Sequence, residues 1–212
     1  MKAAAPVSET FSVYVDGFNL YYGLKSKSAH KYLWLDLVKL AERIRPRSTL
    51  VKVHYFTAPV LNDPPAAARQ ADYLAALKAT NGSRIEIVQG RYQSKTMKCR
   101  NCGDQWQRHE EKETDVNIAV SLVADAANKA IDTALLISGD SDLAPAVRMA
   151  TRVNPNFVTI AQFPPRRFSA ELKALMPSSA YLGINHIRNS LLANTVTDSA
   201  TGLSWTRPTK WW

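Results

Sequence analysis

Apolar positions along the chain follow two alternating periods, which predict strands and helices in turn. Short runs of β-branched and aromatic residues predict buried strands, at 11–15, 50–57, 84–89, 133–138 and 157–161. Apolar residues at helical spacing predict helices over 33–45, 64–82, 113–127 and 143–153. A weaker strand near Tyr181 and a helix over 187–192 follow. The first strand ends at Asp16-Gly17, a pair that predicts a turn.

Strands that alternate with helices indicate an α/β fold, a mostly parallel sheet with helices on both faces. The pattern predicts one domain over residues 11–193, after an N-terminal arm of residues 1–10. A polar, basic excursion over 90–111 interrupts that domain. A Thr- and Ser-rich tail, 194–212, carries three tryptophans that could contact the domain, a second subunit or RNA.

The charge balance of the 212-residue chain is strongly basic, with 27 Lys and Arg against 18 Asp and Glu, a net charge of +9. Such an excess favours polyanionic partners, nucleic acid first and an anionic membrane surface second. No stretch approaches the roughly 20 apolar residues of a membrane span, and the first residues lack a signal-peptide core. Two cysteines make no disulfide framework. We therefore expect a cytoplasmic protein that does not bind membranes.

Four aspartates fall where the fold class predicts a functional edge. Asp16 follows the first strand, Asp140 and Asp142 follow the fourth, and Asp115 begins the helix before it. If the first and fourth strands are neighbours, these acids converge at the carboxyl ends of the strands. Clustered carboxylates repel, and a bound Mg²⁺ or Mn²⁺ relieves the repulsion. Singly, each acid could instead be a turn or helix-cap residue, but their coincidence favours a metal site.

Three segments resemble the motifs of the NYN domain family, in its LabA-like branch of the PIN-like nuclease superfamily. They are Val-Tyr-Val-Asp-Gly-Phe-Asn-Leu-Tyr at 13–21, Glu-Lys-Glu-Thr-Asp-Val-Asn-Ile-Ala at 111–119 and Leu-Ile-Ser-Gly-Asp-Ser-Asp-Leu at 136–143. The resemblance spans residues 11–163. It implies a Rossmann-like, PIN-like fold and a metal-dependent endoribonuclease that hydrolyses RNA phosphodiester bonds.

The resemblance also implies roles for particular residues. The matched acids become metal ligands, namely Asp16, Asp115, Asp140 and Asp142. Asn19 would orient an acid or contact substrate, and Ser138 would shape its loop. Relatives often carry another acid where this chain has Ser121, which leaves the number of metal ions open. The alternative function is an RNA-binding or regulatory module that holds metal without significant turnover.

Residue type adds one further catalytic candidate and a zinc hypothesis. Lys112, just before the central helix, could bind a phosphate or developing negative charge, or could be an ordinary exposed lysine. Cys99 and Cys102 have the spacing of a zinc knuckle, with His109 as a third ligand. A fourth would come from His54, Glu110 or a second copy of the chain; otherwise the turn is a degenerate knuckle.

Basic and aromatic residues are interleaved in the excursion, a combination that suits single-stranded nucleic acid. The RNA-contact candidates there are Arg91, Lys95, Lys98, Arg100, Trp106 and Arg108. Others follow the first and fifth strands, namely Lys25, Lys27, Arg166 and Arg167. The alternative for the excursion is a solvated surface hairpin. RNA is the predicted partner, and a homodimer is compatible with the sequence.

Overall fold

The computed structural model of the protein describes residues 9–212, apart from the side chains of residues 108–111. Most of the predicted N-terminal arm lies outside these residues. Six parallel strands form the central sheet, in the order β3-β2-β1-β6-β7-β8. Their bounds are Thr10–Asp16 (β1), Thr49–Thr57 (β2), Ile85–Gln89 (β3), Thr133–Ile137 (β6), Val158–Phe163 (β7) and Ala180–Tyr181 (β8). The predicted parallel sheet is confirmed.

Helices cover both faces of this sheet, as predicted. They are Gly17–Ser28 (α1), Leu37–Ile44 (α2), Pro64–Asn81 (α3), Thr114–Asn128 (α4), Ala144–Val153 (α5), Ala170–Leu175 (α6) and Ile184–Arg188 (α7). The alternation of side chains along β1 divides the core in two. Val13 and Val15 pack in a cluster with residues of α1, α2 and α3, whereas Tyr14 packs with α4 and α5.

Two helix starts differ from the sequence prediction. No turn follows β1, because Asp16 caps α1 by accepting a hydrogen bond from the Asn19 backbone N–H at 2.9 Å. Gly17 permits this direct passage, since a Cβ there would lie 2.5 Å from the Phe56 carbonyl oxygen of β2. The helix predicted over 33–45 begins at Leu37 instead of residue 33, because the Asp36 carboxylate caps the backbone N–H groups of Val38 and Lys39.

The polar excursion is an antiparallel hairpin of strands β4 (Arg91–Lys98) and β5 (Gln105–Lys112). Its described side chains are mostly exposed on both faces, so the sequence shows no alternation. Arg91, at the base of the hairpin, forms an ion pair with Glu113. Glu113 precedes α4 and has a left-handed backbone conformation (φ 81°). This contact ties the hairpin to the start of the helix that carries Asp115.

The C-terminal tail packs against the domain, one of the three alternatives left open for its tryptophans. It forms a small hairpin of β9 (Thr195–Thr197) and β10 (Ser204–Thr206). Trp211 is buried, with its ring 6.1 Å from Trp34 and 5.9 Å from Tyr73. The Arg207 guanidinium donates to the Lys31 carbonyl and lies over the exposed Trp212 ring.

Among the helices of residues 9–212, none is both long and apolar enough to cross a bilayer.

Candidate metal centre

Three aspartates from distant parts of the chain meet at the carboxyl edge of the sheet. Strands β1 and β6 are neighbours, and Val15 pairs with Ile137, so both strands end side by side. Asp16 ends β1, Asp140 lies in the turn after β6, and Asp115 lies in the first turn of α4. One carboxylate oxygen from each lies within 4.8 Å of the others. The fold thus concentrates three negative charges at one point.

Asp16 is the buried member of the cluster, with 3% of its surface exposed. Its two oxygens accept hydrogen bonds from the Asn19 backbone N–H at 2.9 Å and from the Ser138 hydroxyl at 2.8 Å. Burial raises the pKa of Asp16, and the charge of Asp140 raises it further, against the lowering effect of these hydrogen bonds. The ionised carboxylate is therefore held in place at an electrostatic cost that a bound cation would remove.

The turn after β6 is held against α1 by a short network. The Asn19 side-chain oxygen accepts from the Gly139 backbone N–H at 3.0 Å, and the Ser138 hydroxyl accepts from the Asp140 N–H at 3.0 Å. Gly139 allows close packing, because a Cβ there would lie 2.9 Å from the Arg167 carbonyl oxygen. Asn19 and Ser138 thus fix the turn that carries Asp140.

Two other predicted residues lie beside the cluster. Asp142 is exposed in a short 3-10 helix (Ser141–Leu143), and its backbone N–H donates to Asp140 at 3.0 Å. Among the described residues, the group of carboxylates that could hold a metal ion does not include Asp142. Lys112 ends β5, three residues before Asp115, and is half-buried. Their metal-binding and phosphate-binding roles stay predictions.

The donor set fits a hard divalent cation. All three grouped side chains offer carboxylate oxygens, the ligands that Mg²⁺ and Mn²⁺ prefer. The acids open into a cleft of about 350 Å³, whose other walls include Asn19, Thr114 and three aromatic residues, Phe18, Tyr22 and Tyr92. This cleft is large enough to admit a cation with part of its water shell.

The cysteine turn lies at the tip of the β4–β5 hairpin, with Cys102 exposed and Cys99 half-buried. The backbone N–H groups of Cys102 and Asn101 lower the pKa of the Cys99 thiol by hydrogen bonding to its sulfur. The His109 side chain lies outside the described residues. His54 instead faces Glu86 at 3.0 Å and stacks on Tyr14. Among the described side chains, no third His, Cys, Asp or Glu groups with the two cysteines.

The predicted RNA-contact residues fall into two groups. Lys95, Lys98, Arg100 and Trp106 are exposed on the hairpin, and the side chain of Arg108 is not among those described. In the second group, the Arg167 guanidinium lies 5.8 Å from the ring centroid of Tyr22, which lines the acidic cleft, and the Lys25 ammonium lies 5.7 Å from that of Tyr21. Lys27 and Arg166 are exposed nearby in sequence. Arg91 is engaged with Glu113.

The structure adds a feature that the sequence analysis missed. A second cavity of about 490 Å³ adjoins the acidic cleft and shares Phe18, Tyr22 and Tyr92 with it. Much of its lining comes from α1, from the segment after β2 and from the C-terminal tail. No helix was predicted directly after β1, so Tyr22 had no predicted position. The tail could not be placed from sequence at all.

A Rossmann-like parallel sheet with an acidic cluster at its carboxyl edge defines a PIN-like, nuclease-like α/β protein. Comparison with known families agrees, because residues 10–179 match the NYN domain. This chain therefore belongs to the NYN domain family.

Individual relatives are more distant. The chain is similar to 6-hydroxy-3-succinoylpyridine 3-monooxygenase HspA of Pseudomonas putida (strain DSM 28022 / S16), with 31% identity over 170 residues. The match covers 65% of this chain and 54% of that protein, so the chain spans about half of its relative's length. A crystal structure of VPA0982 from Vibrio parahaemolyticus RIMD 2210633, a protein of unknown function, has the same fold. Its TM-score is 0.59 at 20% identity, and the match covers 90% of this chain and 100% of the other.

Proposed function

We propose that this protein is a metal-dependent endoribonuclease that hydrolyses phosphodiester bonds of RNA. The convergence of Asp16, Asp115 and Asp140 within 4.8 Å carries the proposal. Membership of the NYN domain family, whose fold is nuclease-like, supports the same reaction class. A net charge of +9 around an acidic centre suits a polyanionic substrate that is brought to a cation.

The three aspartates would hold Mg²⁺ or Mn²⁺, which when bound supplies activation of a water molecule and neutralisation of phosphate charge. Asp16 contributes a rigid ligand, because Asn19 and Ser138 fix both of its oxygens. Asn19 and Ser138 also hold the turn that carries Asp140. The chain's own contribution is therefore the placement of ligands before the substrate arrives, which is how protein groups stabilise a transition state electrostatically.

RNA contacts outside the centre would come from the two basic groups. Arg167 lies beside the turn that carries Asp140, since its backbone packs on Gly139. The exposed cations of the β4–β5 hairpin extend outward from the start of α4, to which Arg91 and Glu113 join them. Phosphates bound along this path would lead a strand toward Asp115.

A second candidate comes from the P. putida relative, which is named as a monooxygenase of a pyridine compound. A monooxygenase transfers one atom of O₂ to its substrate and reduces the other to water, with two electrons from a reduced nicotinamide or flavin. The aromatic cavity beside the acids is compatible with a heteroaromatic substrate. The acid cluster favours hydrolysis, because an iron site for oxygen chemistry commonly includes two histidines, and the grouped ligands here are three aspartates.

The test is cleavage of end-labelled single-stranded and hairpin RNAs in Mg²⁺, in Mn²⁺ and in EDTA, with DNA of the same sequence alongside. We expect internal cuts that require metal. Asp16→Asn and Asp140→Asn should lower the rate at least a hundredfold, whereas Asp72→Asn, an exposed acid of α3, should cut like the parent.

Two results would overturn the proposal. One is RNA binding without metal-dependent cleavage, which would identify a binding module. The other is consumption of O₂ and NADH or NADPH in the presence of a hydroxypyridine, with no cleavage of RNA.

A further inference from the structure

The cavity beside the acidic cleft has a wall rich in aromatic side chains. Its volume of about 490 Å³ lies in the range of pockets that hold a nucleotide-sized ligand. Seven aromatic side chains line it, namely Phe18, Tyr21, Tyr22, Tyr55, Tyr73, Tyr92 and Trp211. Burial raises the pKa of Tyr55 to about 12, so this phenol stays neutral at physiological pH. Neutral rings in a concave site favour a flat, uncharged group that stacks.

Contacts within the protein hold this wall in place. The Tyr73 hydroxyl donates to the Leu35 carbonyl at 2.7 Å, and the Trp211 ring packs 5.9 Å from the Tyr73 ring. Gln70 holds the segment after β2, because its amide donates to the Ala58 carbonyl and accepts from the Val60 N–H, both at 2.9 Å. A preformed wall needs little ordering when a ligand binds.

The rim of the cavity is basic. Lys25, His30, Arg69 and Lys210 lie on it, and the one acid in the lining, Asp63, caps α3 by accepting from the Ala66 N–H. The pKa of His30 is lowered by partial burial and then by the positive charges of Lys210, Lys25 and Arg69. These three cations therefore lie close enough to His30 to disfavour its protonation, and an anionic group bound beside them would offset their positive charge.

The cavity and the acidic cleft adjoin each other. Phe18, Tyr22 and Tyr92 belong to the walls of both. Tyr22 also carries the Arg167 guanidinium over its ring, on the side where the Asp140 turn packs. A ligand that stacks on Tyr22 inside the cavity would therefore have its next covalent linkage within reach of the acids.

We propose that this cavity binds one unpaired base of the RNA strand, with the base between the aromatic side chains and its phosphate on the basic rim. The inference rests on the proposed function for the identity of the strand. A base inside the cavity would position the neighbouring phosphodiester at Asp16, Asp115 and Asp140. Because a base in a duplex is not available for this contact, the geometry selects single-stranded or looped RNA over a continuous helix.

The test measures binding by calorimetry in EDTA, so that affinity does not depend on the acidic centre. The probes are the four nucleoside 5′-monophosphates, with ribose 5-phosphate as the base-free control and a pyridine carboxylic acid as a free heteroaromatic acid. Stacking of one base predicts that at least one nucleotide binds roughly five- to a hundredfold more tightly than ribose 5-phosphate.

Two variants of α3 locate the bound base. Ala66 lines the cavity, so Ala66→Phe should fill it and weaken nucleotide binding at least tenfold. Ala68 is exposed two residues further on and does not line the cavity, so Ala68→Phe should bind nucleotides like the parent. Circular dichroism and melting temperature check that both variants are folded.

Equal binding of ribose 5-phosphate and the nucleotides, or equal effects of the two phenylalanine variants, would overturn the base site. Tighter binding of the pyridine carboxylic acid than of every nucleotide would also overturn it, and would assign the cavity to a free heteroaromatic acid. Metal-dependent RNA cleavage without base-dependent binding would leave the nuclease proposal standing and refute this inference. Base-dependent binding with no RNA cleavage would refute the nuclease proposal instead.

Discussion

Replacing Asp140 with asparagine separates the electrostatic cost of the acid cluster from its hydrogen bonds. The Asp140 carboxylate accepts from the Asp142 N–H, and an asparagine oxygen can accept the same bond. Asparagine is also as good a cap as aspartate for the turn that follows. The substitution thus removes a negative charge beside Asp16 and Asp115 and leaves the local backbone supported.

The size of the effect follows from the separation of the charges. Two unit charges 4.8 Å apart repel by about 1 kcal/mol in water and by about 3.5 kcal/mol at an effective dielectric constant of 20. Asp140 is half-buried and Asp115 is exposed, so screening brings the total toward the lower figure. We expect Asp140→Asn to be more stable than the parent in EDTA by about 1 to 3 kcal/mol. For a chain of this length, that is a rise in melting temperature of about 2 to 10 °C.

Metal should reduce this advantage of the variant, and should reverse it where the advantage in EDTA is below about 1.3 kcal/mol. At a Mn²⁺ concentration of about 100 times its dissociation constant, the parent gains about 2.7 kcal/mol, whereas a tenfold weaker site gains only about 1.4 kcal/mol. Melting curves of parent and variant in EDTA and across a Mn²⁺ titration measure both effects, with Asp72→Asn as the matched surface control. A parent at least as stable as the variant in EDTA, together with equal Mn²⁺ shifts in the two proteins, would refute the reasoning.

Four further predictions address other contacts of the site and the core. Ser138→Ala removes a hydrogen-bond donor to the buried Asp16 carboxylate and should lower the free energy of unfolding by about 1–3 kcal/mol. Denaturant unfolding measures this loss, and an unchanged midpoint would contradict it. The pKa of Asp16 is higher in the folded protein than in the unfolded chain. Protonated Asp16 therefore contributes its full free energy of stabilisation below the pKa of the unfolded chain, and this contribution is lost as the pH rises through the pKa of the folded protein. In EDTA, the stability of Asp16→Asn relative to the parent should therefore increase across that window, by at most about 1.4 kcal/mol per pH unit; a pH-independent difference would contradict it. Gly17→Ala would place a Cβ 2.5 Å from the Phe56 carbonyl oxygen and should therefore lower the melting temperature. A melting temperature equal to that of the parent would exclude this clash. Trp211→Ala should lower the free energy of unfolding by about 3–5 kcal/mol, because the packing of Trp211 on Trp34 and Tyr73 is lost. An unchanged free energy in a denaturant titration would contradict this expectation.

The centre of the sheet was predictable because strands β1 and β6 are buried on both sides. Strand β6 is buried at all five positions, and a continuous apolar run bounded by polar residues is a clear signal. Convergence of the acids was predicted on the condition that β1 and β6 are neighbours. The pairing of the two strands satisfies that condition. Helix α1 was missed because Asp16 and Gly17 also suit a turn, and sequence alone does not separate a turn residue from a helix cap.

The cavity could not be predicted, because its walls come from segments with no mutual signal in the sequence. Tyr73 lies on α3 and Trp211 in the tail, more than a hundred residues away, and only packing brings their rings together. The bounds of the two strands in the β4–β5 hairpin could not be predicted for another reason, although a solvated surface hairpin was the alternative interpretation of this segment. Its described side chains are mostly solvated on both faces, so its strands are defined by backbone pairing and leave no hydrophobic alternation to detect.

The position of Asp16 links stability to the proposed chemistry. As a helix cap and an acceptor from Ser138, its carboxylate is fixed by groups that belong to the fold itself, whatever is bound. Burial and the charge of Asp140 oppose its ionisation, so the metal-free cluster is an unfavourable concentration of negative charge. That cluster also repels the phosphates that the basic rim and hairpin attract. A divalent cation is the species that resolves both conflicts, because it stabilises the ionised acids and makes the centre attractive to a phosphodiester. The surplus of basic residues brings a polyanion to the surface, and the cation determines whether it can approach the acids.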